Sequence, residues 1–567
     1  MSTVIGIHDG HNASVALVRD GRIELALQEE RLTRIKNQGD LPGHSLAQAL
    51  QLANGSAVKA RIALNGNYMN YHQWERETIL QDYASSSSLA SRLKQPLKNT
   101  FVDRLYQERK SAQRTQAIAD LGIDRSRIEA VEHHLAHASA AYYTSPWPEE
   151  KVLVLTCDGS GDRLSATVSI GERGELTRIA KVSEHDSIGR LYALVTRRLG
   201  MAPLEHEYKV MGLAPYAAGE SRIEAATQRL WQLFEFESNL LAWRRRRGVP
   251  SMYSAYDFFG RLFDGERFDL IAAGAQTFIE RMLTTWVSNA IRETGIRKVA
   301  CSGGVFMNVK ANLAILELPE VDDLYIFPSC GDESNSIGAA CRIAAQQGDS
   351  IERLGPIYYG DRLGDEDAEA ALRDAAGQAP FTFRWHADIE KKTAEELAQG
   401  RIVARAKGRV EFGARALGNR SILARADSTD AVRTINSMIK NRDFWMPFAP
   451  SVLAERVDDY CMKPKPVSSP YMMFAFRSRP EKRASFGAAQ HPYDFTARPH
   501  EVREDHNADY HRLLNEYEAI TGEGIVLNTS FNLHGEPIVY RAADAVDVFL
   551  RSGLERMALG NFWVEKT

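Results

Sequence analysis

Two stretches of the chain repeat one order of apolar runs and turns. Val4-Ile-Gly-Ile-His-Asp9-Gly10 leads into an apolar run at 13–18, a turn at Asp20-Gly21 and a third run at 23–27. Later, Val152-Leu-Val-Leu-Thr-Cys-Asp158-Gly159 leads into 165–170, a turn at Arg173-Gly174 and a run at 176–180. Each stretch predicts strand, Asp-Gly turn, strand, Gly turn, strand. Two such units predict a duplicated α/β fold with a cleft between its halves, although Asp-Gly hairpins also occur in any β-rich protein. Residues 68–125 and 218–290 read as helical insertions, the first broken by Ser85-Ser-Ser-Ser88, the second carrying Arg244–Arg247 in a solvated loop. Gly355-Pro-Ile-Tyr-Tyr-Gly360 marks a boundary before a charged helix at 365–376, which divides the chain into 1–355 and 356–567.

Composition narrows the class. The 567 residues hold 70 Lys+Arg against 74 Asp+Glu, a net charge of −4, with 44% apolar residues, which fits a folded soluble protein and offers no basic field for nucleic acid or anionic membrane. No secretory signal or membrane-spanning run is expected. Cys157, Cys301, Cys330, Cys341 and Cys461 form no C-x-x-C pair, so a reducing cytoplasm is expected.

Several motifs carry chemistry. In Glu132-His133-His134-Leu-Ala-His137, the first and third histidines stand four apart, on one face of a helix. Capping or core histidines explain that spacing too, but Asp158 at a strand end and Asp332 in Ser329-Cys-Gly-Asp-Glu-Ser-Asn add carboxylates. Together they suit a divalent transition metal with positions left open. Ser302-Gly303-Gly304-Val-Phe-Met-Asn308 lets backbone N–H groups approach a nucleotide, or makes a tight packing turn. Asp9, His11 and Lys36 lie at the ends of the first and third strands. The histidine suits a general base and the lysine a counter-charge, though each alone reads as a surface or packing residue. Toward the C-terminus, Arg415, Lys440, Arg442, Arg498, Asn528 and Ser530 stand in four clusters mixed with Gly, Pro and aromatic residues. Guanidinium forks and ammonium charges among short polar side chains are what phosphoryl oxygens require.

Four motifs recur in order along nearly the whole chain: Glu132-His-His-Leu-Ala-His-Ala, Glu207-Tyr-Lys-Val-Met-Gly-Leu-Ala-Pro-Tyr, Glu411-Phe-Gly-Ala-Arg-Ala-Leu-Gly-Asn-Arg-Ser and Leu527-Asn-Thr-Ser-Phe-Asn-Leu-His-Gly-Glu-Pro. On them the chain resembles the NodU/CmcH family of ATP-dependent O-carbamoyltransferases. The resemblance implies an α/β and α+β protein. A duplicated actin-like (ASKHA) transfer domain over 1–355 would precede a YrdC/Sua-like α/β domain over 356–567 that makes carbamoyl-adenylate from ATP and carbamoyl phosphate. It implies His133, His137 and Asp332 as metal ligands, with Asp158 as a fourth ligand or a partner behind them. Iron(II) is the expected ion, with manganese or zinc as alternatives, and Mg2+ accompanies ATP. Gly303, Gly304 and Asn308 would approach adenosine, and His11 would be the acceptor's base, with Asp9 and Lys36 beside it. Arg415, Lys440, Arg442, Arg498, Asn528 and Ser530 would hold carbamoyl phosphate and ATP. Relatives carry Arg-Pro-Phe-Ala-Pro where this chain has Met446-Pro-Phe-Ala-Pro450, so a phosphate contact is expected to shift, for instance to Arg442.

The implied partner is a hydroxylated small molecule, an antibiotic or other secondary metabolite, with no nucleic acid and no membrane. A homodimer is the prior for such an enzyme. Tyr68, Tyr71, Trp74, Tyr253 and Tyr256 would line an aromatic-tolerant acceptor cleft or pack the core. Two alternatives are a threonylcarbamoyl-type tRNA-modifying enzyme and a non-catalytic sensor of nucleotide and carbamoyl phosphate. A third, a hydrogenase-maturation protein of the HypF type, would need an N-terminal acylphosphatase unit and C-x-x-C zinc motifs.

Overall fold

Strand β1 (Thr3–His8) is wholly buried, which accounts for its unbroken apolar run: a central strand covered on both faces shows no alternation. The computed structural model describes residues 2–53, 60–67, 79–80, 83, 101–377, 379–440 and 443–567. These form two compact units, Met1–Glu29 with Asn37–Leu354, and Glu30–Lys36 with Gly355–Thr567. Tyr68, Tyr71, Trp74 and Arg442 lie outside the described residues.

In the N-terminal unit, β1 pairs antiparallel with β2 (Ser14–Arg19), which pairs antiparallel with β3 (Arg22–Gln28). On its other side β1 runs parallel to β4 (Arg61–Asn65), and β4 parallel to β5 (Ile128–Val131). The second half repeats this. Strand β6 (Val152–Gly161) pairs antiparallel with β7 (Leu164–Glu172), and β7 antiparallel with β8 (Glu175–Ser183). A short hairpin of β9 (Phe234–Phe236) and β10 (Trp243–Arg245) intervenes. Strands β11 (Lys298–Ser302) and β12 (Asp323–Ile326) then add parallel to β6 and to each other. The sheets therefore run β3-β2-β1-β4-β5 and β8-β7-β6-β11-β12, the same order and sense twice. This is the duplicated actin-like fold.

Small residues let the helices close on this frame. A Cβ on Gly338 of the helix Asn335–Gln346 would stand 1.9 Å from Ala136 O in the helix His133–Tyr143, and one on Gly6 of β1 would stand 1.8 Å from Ser336 O. The expected loop at Arg244–Arg247 is corrected in part, since Arg244 and Arg245 belong to β10. The ion pairs Arg244–Glu235 (2.9 Å) and Arg245–Asp186 (2.5 Å) allow a strand where a charge run alone reads as solvated.

The C-terminal unit is a mixed α/β structure on an eight-stranded sheet. Its order is Phe381–Trp385, Phe562–Lys566, Arg556–Leu559, Val403–Ala406, Arg420–Arg425, Ile525–Ser530, Ala449–Leu453 and His500–Val502. The helices Ile389–Ala398 and Ala508–Thr521 seal one core through Ile389, Leu397, Leu513 and Leu514 against Val403, Leu423, Val526 and Trp563. The segment Glu30–Lys36 belongs here. Arg31 donates to Gly413 O (2.5 Å), and Arg34 donates to Ile538 O (2.6 Å) and Pro537 O (2.9 Å). Among the described residues no helix is long and apolar enough to cross a membrane.

Candidate functional site

Glu132 caps the helix His133–Tyr143, accepting from the N–H groups of His134 (3.2 Å) and Leu135 (2.8 Å), and this fixes the start on which His133 and His137 are spaced. His133, His137, Asp158 and Asp332 then converge, with one ligand atom from each lying within 4.8 Å of the others. Asp158 comes from β6 and Asp332 from the turn before the helix Asn335–Gln346. His133 Nε2 stands 3.5 Å from both Asp158 Oδ2 and Asp332 Oδ1, and His137 Nε2 stands 3.5 Å from Asp332 Oδ1. Atoms bonded to one ion at about 2.0–2.2 Å lie about 3–3.5 Å apart, so this spacing suits a shared ion.

Two atoms decide the fit. His133 Nε2 and Asp332 Oδ1 are buried and have no hydrogen-bond partner, and orphaned polar atoms cost about 1–3 kcal/mol each unless something sits between them. Two neutral imidazoles and two carboxylates also balance a divalent cation. These residues fit a metal ion. Supporting contacts aim them. His137 Nδ1 lies 3.2 Å from Ser302 Oγ, which accepts its N–H and leaves the Nε2 lone pair for an ion; Asn335 Nδ2 lies 3.1 Å from that Nε2 and would give way to the ion. The His133 N–H donates to Asp162 Oδ2 (2.8 Å), and the His133 ring fills space that Gly161 leaves free, since a Cβ there would stand 2.1 Å from it.

Burial works against protonation of His133, yet Asp332 and Asp158 raise it to about 9. Burial likewise opposes ionisation of Asp158, but His133, 3.5 Å away, and the neighbouring imidazoles hold that carboxyl below its ordinary range. A cation must therefore displace a proton. Metal affinity is expected to tighten about tenfold per pH unit between neutrality and pH 9, with proton release visible by calorimetry in buffers of different ionisation enthalpy. An affinity independent of pH would contradict this.

The β1 end lies at the same site, since His8 feels the charges of Asp332, Asp9 and His133. Burial lowers His8 to about 4. Its Nδ1 accepts from Asn65 Nδ2 (2.8 Å) and its Nε2 donates to His11 O (2.9 Å), so a neutral His8 fixes the backbone of His11. His11 itself is buried. Asp9, expected beside the base, is instead engaged by Arg114, whose Nη2 and Nε donate to its two oxygens at 2.6 and 2.8 Å. Both side chains are fully buried, and Arg114 also donates to Asn65 O and Gly66 O at 2.8 Å, so Asp9 anchors the turn. Arg114→Met is expected to destabilise the protein by about 3–5 kcal/mol in denaturant unfolding, because it leaves a buried carboxylate alone. Lys36 is exposed and falls in the segment assigned to the C-terminal unit.

Gly303 has φ +106°, and a Cβ there would stand 2.3 Å from Cys157 O, so only glycine allows this turn to approach β6. The Gly304 N–H donates to Asp158 Oδ1 (2.9 Å) and orients that ligand. The Asn308 side chain is also committed: Oδ1 caps the helix Val309–Leu316 and accepts from Gln276 Nε2 (3.0 Å), while Nδ2 donates to Gln276 Oε1 (2.9 Å). It holds the turn, and adenosine contact from this amide would need that pairing to open.

In the C-terminal unit the buried Lys440 ammonium donates to Ser530 Oγ (3.1 Å), Asn532 O (3.1 Å) and Asn532 Oδ1 (2.8 Å). Two residues earlier on the strand that carries Ser530, Asn528 Nδ2 donates to Ala416 O (3.0 Å) and Ser451 Oγ (2.9 Å), which leaves its buried Oδ1 without a partner. The loop with Arg415 is closed by Glu411 Oε1, which accepts from the N–H groups of Leu417 (2.8 Å) and Arg420 (3.1 Å). Arg415 and Arg498 are half-buried. Sequence reasoning missed His8, Arg114, Asn335, Glu411 and Asn532 as working residues. His8 and Asn335 stand one to three residues from named ones, and Glu411 and Asn532 lie inside quoted motifs. Arg114 sits in an unremarkable helix and gave no signal.

Residues 3–341 match the family model described as carbamoyltransferase N-terminus, and 394–566 match carbamoyltransferase C-terminus. Nodulation protein NolNO of Sinorhizobium fredii is 32% identical over 98% of this chain and 79% of its own length. Nodulation protein U of the same species is 28% identical over 96% of each chain. Among solved structures, full-length HypF in its phosphate- and nucleotide-bound form aligns over 62% of this chain and 56% of its own, at 12% identity and a TM-score of 0.31, too weak a likeness to argue from.

Proposed function

The chain belongs to the carbamoyltransferase family, and we propose on that premise that it is an ATP-dependent O-carbamoyltransferase acting on a hydroxyl of a small secondary metabolite. The observation that carries this reading is the pair of orphaned buried atoms, His133 Nε2 and Asp332 Oδ1, inside a cluster of two imidazoles and two carboxylates.

The C-terminal unit would make the activated group. Water breaks the carbamoyl–phosphate bond, and the carbamate oxygen then displaces pyrophosphate from the α-phosphorus of Mg2+-ATP, giving carbamoyl-adenylate, phosphate and pyrophosphate. Lys440, Arg415 and Arg498 hold phosphoryl oxygens, and Asn528 and Ser530 orient the carbamoyl group. The N-terminal unit would spend it. The acceptor oxygen attacks the carbamoyl carbon, the bond to the AMP oxygen breaks, and His11 takes the acceptor's proton. His133, His137, Asp158 and Asp332 would hold a divalent ion that offsets charge on departing AMP, with iron(II) preferred and manganese or zinc served by the same donors. His8 keeps the His11 backbone in place, and Ser302 keeps His137 turned to the cluster.

Incubation with ATP, carbamoyl phosphate and a panel of hydroxylated natural products should give an acceptor heavier by about 43 Da, the mass of the added CONH. Pyrophosphate release without any such product across a broad panel, or no release at all, would count against it. His11→Ala is expected to leave carbamoyl-phosphate-dependent ATP/pyrophosphate exchange intact while abolishing transfer. Loss of exchange in that variant would remove the division of labour.

A further inference from the structure

We infer that Arg190 is the cation that reads the phosphoryl group of the adenylate in the N-terminal unit, an inference that rests on the function proposed above. Arg190 lies in the first turn of the helix Ile188–Arg198, which is pressed against the end of β6. Ser187 Oγ donates to Gly159 O (2.6 Å) and lies 3.3 Å from Asp158 O. A Cβ on Gly189 would stand 2.7 Å from Asp158 O and 2.9 Å from Val305 Cγ2. The backbone leading into Arg190 thus touches a residue of the metal cluster on one side and the turn after Gly303-Gly304 on the other.

The guanidinium is held without being used. Its Cζ lies 4.3 Å from the centroid of the Tyr83 ring and 4.0 Å from that of Tyr253, so the plane is stacked between two aromatic faces. Tyr253 is fixed in turn, its hydroxyl bridging Ser160 Oγ (2.7 Å) and Glu184 Oε2 (3.0 Å). Among the described residues no acceptor meets any guanidinium N–H of Arg190, and its Nε is buried. Elsewhere in the same unit, Arg245 is paired with Asp186 and Arg178 with Glu132. An arginine that is stacked and oriented, with no acceptor on its fork among the described residues, is suited to bidentate binding of an oxyanion. The proposed reaction brings one obligatory oxyanion into this unit, the phosphoryl group that leaves as AMP.

The test uses the full-length chain in a Lys440→Ala background, so that the effect of changing Arg190 is read against a constant contribution from the other unit. AMP and adenosine are titrated against this chain and against the same chain with Arg190→Ala. AMP affinity is expected to fall about tenfold or more, with adenosine unchanged. Millimolar methylguanidinium, refilling the slot between the tyrosines, should restore AMP binding where methylammonium does not. AMP affinity within about twofold of the parent, a parallel loss of adenosine, or equal rescue by both amines would overturn the assignment. Arg190-dependent AMP binding in a protein whose unaltered form shows no pyrophosphate exchange would sink the proposed function and leave this phosphate site standing.

Discussion

Replacing His137 with alanine is expected to strip the bound metal and to lower acceptor carbamoylation by about 10³-fold, while pyrophosphate exchange continues at its original rate. His137 is fully buried, Ser302 holds its Nδ1, and its Nε2 stands 3.5 Å from Asp332 Oδ1. Removing it deletes one of the four donors of the cluster and leaves two carboxylates facing a single imidazole. On the proposed mechanism, charge on the departing AMP then goes unanswered in the N-terminal unit, whereas the C-terminal unit shares no side chain with the cluster. Metal content by elemental analysis and exchange with labelled pyrophosphate separate the two effects. A variant that retains stoichiometric metal and normal transfer would show that the cluster serves packing alone. Ser302→Ala removes only the hydroxyl beside His137 Nδ1 and is expected to weaken metal binding about 10- to 100-fold, a graded control.

Replacing Lys440 with methionine should have the converse outcome: exchange falls by about 10³-fold and metal content stays normal. The ammonium is almost fully buried and is pointed by Ser530 Oγ and both oxygen types of Asn532. Methionine preserves the volume of the stem, so a folded variant with little activity isolates the charge. Arginine is not expected to rescue, because a planar fork does not fit a slot shaped for three donors around one nitrogen. Exchange within about twofold of the unaltered protein would make Lys440 a structural ammonium.

Sequence carried the frame of the N-terminal unit well. The order of apolar runs around Asp9-Gly10 and Asp158-Gly159 is periodic and local, and both copies became the strands β1–β3 and β6–β8. The spacing of His133 and His137 was legible because a helix turns residues four apart to one side. Their meeting with Asp158 and Asp332 came from the motifs, since no local rule brings a strand end and a distant turn together. The roles of Asp9 and Asn308 were harder to read. An acid at a strand end reads as reactive until its partner is known, and Arg114 lies 105 residues away on a separate helix. Asn308 likewise reads as a ligand contact until Gln276, 32 residues earlier, is found paired with it. Arg190 gave no signal, because its place between the Tyr83 and Tyr253 rings is visible only in the fold.

The short segment Glu30–Lys36 ties synthesis order to assembly. The ribosome delivers Arg31 and Arg34 hundreds of residues before Gly413, Pro537 and Ile538, whose carbonyls they bind. A nascent chain must therefore carry Arg31 without its Gly413 contact, and Arg34 without its two carbonyls until the last tenth emerges. A fragment expressed from Gly355 onward would lack this strap altogether, so scission at the domain junction does not yield the C-terminal unit with all its own contacts.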